Sequence, residues 1–497
     1  MSASRKCQAV SFLFIACLLR PGVALAAPSI TLSKKSGPPT STILVSGKGF
    51  NPNVGLDIYF DTKDEALVVT DGQGTFYEAK IHAPRSAHPG KHWVTALERN
   101  NDQGAQKPFL VQTNWSQFHF DADGTRVNPF ENVLNAKDVG NLELKWSYPA
   151  GDVGTSSPTT ANGVVYIGSQ DHNVYALSAR SGALLWSYRT RDIVATAPAF
   201  VDGVVYFSSW DGNVYALNAI TGVKLWAFNT GTAVDSSPTV KDGILCVGSE
   251  GTNGGVWALN ARTGAELWRY TGTGVDGSSP AVANGIVYVG GEIRNIYALD
   301  AKAGVPVWVY DTEGTYSSPS VRNGLVYLGW GDGVGALNAS DGARVWGYIS
   351  NGSVLSSPAV DDAAVYFGSY DYNVYAVSAS TGAELWSYKT GSYVDSSPAK
   401  ANGVVYVGSQ DGNVYALDAH TGVLLWSYAT GNSVYSSPTV ANGMVYVGSS
   451  DGNIYAFGLP RGNAAKQDAA SRRPALNSLR PDLRLKASQP TSPNRGL

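Results

Sequence analysis

A short pattern recurs along most of this 497-residue chain, and its period restricts the fold more than any other feature. A Ser-Ser-Pro triplet, or a close variant, places prolines at Pro158, Pro198, Pro238, Pro280, Pro319, Pro358, Pro398 and Pro438, at spacings of 39 to 42 residues. A tryptophan recurs in step, at Trp146, Trp186, Trp226, Trp268, Trp308, Trp346, Trp386 and Trp426. A fixed period near 40 denotes a solenoid, a propeller or an array.

One unit resolves the choice. The run from Val394 to Tyr428 holds four strand-like stretches separated by Asn402-Gly403, Asp411-Gly412 and Thr421-Gly422. Asn-Gly and Asp-Gly between β-branched and aromatic runs are hairpin turns, so each unit reads as an antiparallel meander of four strands. Helical repeats are excluded by the short runs and frequent turn signals. A four-stranded sheet repeated radially is a propeller blade, and eight copies predict an all-β, eight-bladed propeller over residues 113–458. Trp146 precedes the first Ser-Ser-Pro, and no tryptophan follows the last. Residues 142–148 are therefore expected to complete the last blade and seal the ring, removing open sheet edges. The tryptophans are expected to dock between blades, each hiding on the order of 200 Å².

The motif Ala416-Leu417-Asp418-Ala419-His420-Thr421-Gly422-Val423-Leu424-Leu425-Trp426 resembles the tryptophan-docking repeat of PQQ-like propellers, the quinoprotein alcohol dehydrogenase-like superfamily. The resemblance runs from about Trp115 to Phe457. It implies the fold more strongly than an activity, because such propellers include PQQ-dependent dehydrogenases and a non-enzymatic lipoprotein that assists outer-membrane β-barrel assembly. The dehydrogenases imply a Ca²⁺ held by carboxylate and amide oxygens, a catalytic Asp, an aromatic floor and often a disulfide of adjacent cysteines. This sequence has no adjacent Cys pair and no Cys-x-x-Cys-His.

The flanks differ from the repeat. Residues 1–26 carry Arg5 and Lys6, an apolar run from Ala9 to Leu19 and Ala24-Leu25-Ala26, the pattern of a secretory signal cleaved after Ala26. Cleavage takes the net charge from −3 to −6 and leaves Cys246 as the one cysteine, so an intramolecular disulfide is excluded. Cys246 reads as a small buried apolar residue where sister repeats have Tyr. Residues 28–112 show short alternating strands, expected to form an immunoglobulin-like sandwich. Their Ser-Gly-x-Gly-Phe and Pro-Gly-x-His pieces resemble IPT/TIG-like modules. Residues 459–497 carry eight basic and two acidic residues without periodicity and read as a disordered basic tail.

Composition narrows the partners. Only 15% of residues are charged, while 27 are Tyr and 13 Trp, which excludes disorder for the bulk of the chain. The slightly acidic balance argues against nucleic acid. No metal site is expected: His82, His88 and His92 lie on strands and turns, where their spacing does not align ligands, and the Asp-Gly-Asn turns lack the acids of a calcium loop.

In an up-and-down meander, the blade-to-blade link and the second-to-third strand turn share one end. That end holds Trp210, Asp235, Glu250, Asp276, Glu292, Tyr316, Trp330, Tyr370, Asp395 and Tyr435, which vary between otherwise similar repeats. This is the candidate binding face. Two functions stay open. One is an exported, non-catalytic protein holding a protein or polysaccharide partner at the cell envelope, with no cofactor, no catalytic residue and no membrane span in the mature chain. The other is a PQQ- and Ca-dependent dehydrogenase of an alcohol or sugar. Aromatics such as Trp210, Trp330, Tyr370 and Tyr372 also suit stacking on sugar faces.

Overall fold

The computed structural model describes residues 27–271, 274–275, 277–291, 295–312, 317–460 and 472–479. The signal-like segment, Asp276, Glu292 and Tyr316 lie outside the described residues.

The repeat folds as its turn chemistry dictates. In the unit at 399–429, strands Ala399–Ala401, Val404–Gly408, Asn413–Asp418 and Leu424–Ala429 pair antiparallel in that order. Asn402 and Gly403 take φ of 43° and 82°, a turn conformation that Asn and Gly tolerate and that matches the twist of the flanking strands. Among the described residues the same meander recurs in successive sheets from 159 to 458, named here by their order along the chain. The last of these, with Thr439–Ala441, Met444–Gly448 and Asn453–Gly458, takes its outer strand from Glu143–Pro149. Ser147 lies opposite Tyr455, and Trp146 opposite Ala456. One β-segment thus ties the beginning of the repeat region to its end.

The docking motif now has a physical reading. Each tryptophan on an outer strand donates its indole N–H to a carbonyl of the next sheet. Trp186 bonds Ala219 O at 2.9 Å, Trp346 bonds Ala379 O at 3.0 Å, and Trp386 bonds Ala419 O at 3.1 Å. Trp426 reaches Leu142 O at 3.0 Å, at the seam. The motif glycine lies on the same ring. Gly422 has φ of 71°, and a Cβ there would sit 2.7 Å from the Trp386 indole. Alanine, glycine and tryptophan are therefore three parts of one inter-sheet joint.

Ser-Ser-Pro builds the inner wall. The first serine ties its own strand to the next: Ser396 Oγ receives Gly408 N–H at 2.9 Å and donates to Ser436 O at 3.0 Å. The second serine joins neighbours in a circuit. Backbone N–H groups of Ala197, Ser237, Ser279, Ser318, Ser357, Ser397 and Ser437 each donate to the following repeat's serine hydroxyl at 2.8–3.0 Å, the last to Ser157. Ala197, the one non-serine at this position, interrupts the circuit.

The N-terminal region has two sheets. One holds Ser29–Leu32, Thr42–Lys48 and Phe76–His82; the other holds Ser36–Gly37, Gly55–Phe60, Lys63–Val69, Gly90–Glu98 and Gly104–Val111. They share a buried core that includes Ile43, Val45, Ile58, Val94 and Phe109. Thr113 and Asn442 exchange two bonds, at 2.7 and 2.8 Å, and Asn132 Nδ2 reaches the Arg85 and Ala87 carbonyls. The region therefore sits at the end bearing the first hairpin turns.

Part of the C-terminal segment differs from expectation. Residues 472–479 pack on the N-terminal region, with Leu479 buried against Tyr59 and Leu97 and the Arg473 guanidinium over Trp93. The reason is apolar content: Leu476 and Leu479 bury surface that the basic character of the tail obscured. Among the described residues no helix is long and apolar enough to cross a membrane.

Candidate functional site: a funnel closed from below

A segment with no counterpart in the repeat shapes the axis. Residues 115–128 run around the inner strands and bond to each sheet in turn. Trp115 bridges Thr160, and Ser116 O receives Phe200 N–H at 2.6 Å. Gln117 Oε1 receives Val240 N–H at 2.8 Å. Ala122, Asp123, Thr125 and Arg126 carbonyls receive the N–H groups of Val282, Val321, Val360 and Lys400. Asn128 Nδ2 ends the circuit on Val440 O at 2.9 Å. The inner strands carry no further partner on this edge, so the segment satisfies backbone groups that would otherwise face an empty channel.

Arg126 lies at the centre, fully buried. Its guanidinium donates to the carbonyls of Pro398 at 2.8 Å, Phe118 at 2.7 Å, Ser397 at 3.1 Å and Pro438 at 3.3 Å. It also lies 4.9 Å from the Phe118 ring centroid and 5.7 Å from that of Trp115. Carbonyl dipoles, not carboxylates, meet this cation, and burial lowers its pKa to about 9. His119 is buried beside it; burial, then the Arg126 charge, hold it well below its ordinary value. Asp121 is raised by burial, although bonds from Thr125 act the other way.

Above the segment opens a funnel of about 250 Å³. Phe118 is its floor, and the second serines of the triplets ring its wall. The mouth carries Thr155, Gln170, Ala195, Trp210, Asp235, Gly277, Leu355, Asp395 and Tyr435. Trp210 is 41% exposed and its Nε1 donates to Asp235 Oδ1 at 3.1 Å. Asp395 accepts hydrogen bonds from Gln410 Nε2 and the Tyr370 hydroxyl. Burial pushes the Asp395 carboxyl above its ordinary range, against those two bonds. The Tyr370 ring lies tilted at 4.6 Å from that of Tyr393, which meets Tyr372 at 5.1 Å.

Of the residues read from sequence as the binding face, Trp210, Asp235, Asp395 and Tyr435 line the funnel together. Tyr370 stands one step outside, holding Asp395. Trp330 and Glu250 do not line it. Trp330 packs instead on Tyr310 and under the Arg344 guanidinium, because its shortened turn leads directly into Gly333. The floor and its ring-shaped support were missed, since residues 113–141 share no period with the repeats. The signal was an unexplained density of aromatics, Trp115, Phe118 and Phe120, in a stretch counted with the propeller and given no role of its own.

The Asp-Gly-Asn turns are occupied by protein donors. Asp411 Oδ1 receives Asn413 N–H at 2.9 Å, and Oδ2 receives the Tyr415 hydroxyl at 2.6 Å and Gly391 N–H at 2.7 Å. Burial alone would raise this carboxyl, but these bonds outweigh it and hold it below its ordinary range. In the N-terminal region, His92 bonds Asp61 at 2.6 Å and the His88 carbonyl at 2.7 Å, and His82 pairs with Thr42. Among the described residues no group of three or more His, Cys, Asp or Glu converges to hold a metal ion.

A family model described as outer membrane protein assembly factor BamB matches residues 131–271, 210–348, 317–401 and 373–489, which together span well over half the chain. The chain belongs to this family. Solved structures share the fold of the BamB-like repeat region. A quinohemoprotein alcohol dehydrogenase from Comamonas testosteroni superposes with a TM-score of 0.62 at 18% identity, over 70% of this chain and 82% of that one. BamB from Moraxella catarrhalis superposes at 0.56 and 21% identity, over 64% of this chain and all of that one. A europium-containing methanol dehydrogenase gives 0.58 at 15% identity, over 70% and 98%. At these identities the likeness is one of fold. No curated protein matches the sequence.

Proposed function

We propose that this BamB-like chain is an exported binding or scaffold protein without catalytic activity. Its repeat sheets are the blades of a closed eight-bladed propeller, and its N-terminal region is an immunoglobulin-like, IPT/TIG-type sandwich that serves as a spacer. The funnel mouth holds a protein or polysaccharide partner of the cell envelope, with cleavage after Ala26 releasing the exported form.

One observation carries this reading. The mouth presents aromatic and carboxylate groups that differ from repeat to repeat, above a wall and floor that are already hydrogen-bonded internally. Variation confined to a mouth on an otherwise regular scaffold suits recognition by surface contact. Exposed Trp210 and Tyr435 supply stacking faces, and Asp235 and Asp395 supply acceptors.

The second reading, a PQQ- and Ca-dependent dehydrogenase, draws support from the dehydrogenase neighbours. The described funnel residues do not fit that group. A hard cation needs several oxygen ligands converging on one point. Asp235 stands on the link into the third sheet, tied to Trp210, and Asp395 on the link into the seventh, tied to Gln410 and Tyr370. Four repeats separate them around the ring.

Affinity capture from envelope extract tests the binding reading. Trp210→Ala with Tyr435→Ala should lower recovery of the partner captured by the wild-type secreted form, with circular dichroism unchanged. Equal recovery would move the binding site to the other end or to the N-terminal region.

A further inference from the structure

One inter-sheet joint in the ring is missing its centre. The third residue of the second strand in each repeat is Tyr166, Tyr206, Tyr288, Tyr327, Tyr366, Tyr406 or Tyr446, except in the third repeat, where it is Cys246. In five repeats this tyrosine's hydroxyl donates, at 3.1–3.4 Å, to the alanine carbonyl that also receives a docking indole. In six, its ring pairs with the docking tryptophan at 5.8–6.0 Å. The joint is thus built for one phenol ring and one phenol hydroxyl.

Between the third and fourth sheets that ring is absent. Trp268 still donates to Ala301 O at 2.9 Å, but among the described residues nothing takes the second lone pair of this carbonyl. A cleft of about 430 Å³ lies there, lined by Cys246, Ile244, Val282, Ile286, Ala301 and Val307 and also by Lys241, Asp242, Asn284, Asp300 and Lys302. It opens between the first hairpin turns of the two sheets, at the end opposite the funnel mouth. Burial raises the Cys246 thiol to about 12, so this side chain stays uncharged. An aromatic ring suits the apolar part of this lining.

We propose that the cleft between the third and fourth sheets is a binding site for a small monocyclic phenol. The ligand's ring fills the space that tyrosine fills in the sister joints, beside Cys246, and its hydroxyl donates to the Ala301 carbonyl. The site is independent of the funnel and of whatever binds there.

Fluorine NMR of 4-fluorophenol titrated with the full-length protein tests this. Saturable line broadening is expected with wild type. Cys246→Tyr, which restores the sister residue, should weaken binding by roughly tenfold or more, the loss of one good set of contacts. Cys246→Leu fills the same space without a hydroxyl and should also block binding, which covers the case of a poorly folded Tyr variant. Fluorobenzene, lacking the donor, should bind more weakly than 4-fluorophenol. Absence of saturable binding to wild type, or binding unchanged in the Cys246→Tyr and Cys246→Leu variants, would overturn the proposal; equal affinity for fluorobenzene would overturn the role of the carbonyl.

Discussion

Every docking tryptophan but Trp426 at the seam does two things that no other residue could do together. Its N–H satisfies a carbonyl of the next sheet, and its ring carries the motif glycine of that sheet. Trp346→Ala removes both and leaves a buried void, so we expect a loss of about 3–5 kcal/mol, read from the urea midpoint. Trp210→Ala, at the exposed mouth, should change stability by no more than about 0.5 kcal/mol. A Trp346→Ala variant as stable as wild type would mean that the joint is not what holds the sheets together. The sequence made the recurrence of Ala, Gly and Trp plain. It did not show which atoms meet, because partners lie about 33 residues apart and backbone carbonyls leave no mark in a sequence. Trp330 illustrates the limit. Its position beside a turn suggested the mouth, yet a shortened hairpin directs it onto Tyr310 and Arg344.

The strand Glu143–Pro149 and the segment 115–128 both work through backbone bonds. The former was legible, since a tryptophan stood ahead of the first triplet and none followed the last. Deleting residues 142–148 should expose the edge of Asn453–Gly458 and leave Trp426 without its Leu142 carbonyl. Light scattering should then show association of the purified protein, because an unpaired edge templates further pairing. A monodisperse, equally stable deletion variant would refute closure by this strand. The segment 115–128 was not legible. It touches each sheet through one or two residues, so no period or alternation marks it, and its chemistry becomes visible only once the ring brings distant inner strands together.

At the scale of the whole molecule, the ring of buried tyrosines sets an alkaline limit. Burial raises Tyr166, Tyr206 and Tyr288 from 10 to about 12. A raised folded value means that the stabilisation is complete below pH 10 and is lost as pH climbs toward 12, where the unfolded chain ionises first. Arg126, lowered to about 9, acts in the opposite sense, but it is one group against several. The unfolding midpoint should therefore fall between pH 10 and 12, with tyrosinate absorbance rising in step with loss of tertiary signal. Tyrosinate formation without unfolding in that range would show that these hydroxyls reach solvent.

In the proposed reading, the separation of Asp235 and Asp395 around the funnel, each held by its own neighbours, divides a binding propeller from a quinone enzyme. Titration of the purified protein with PQQ in the presence of Ca²⁺, followed by tryptophan fluorescence and by alcohol-dependent dye reduction, tests that division most directly. The account predicts no saturable quenching and no dye reduction. Saturable PQQ binding accompanied by alcohol-dependent reduction of the dye would contradict it.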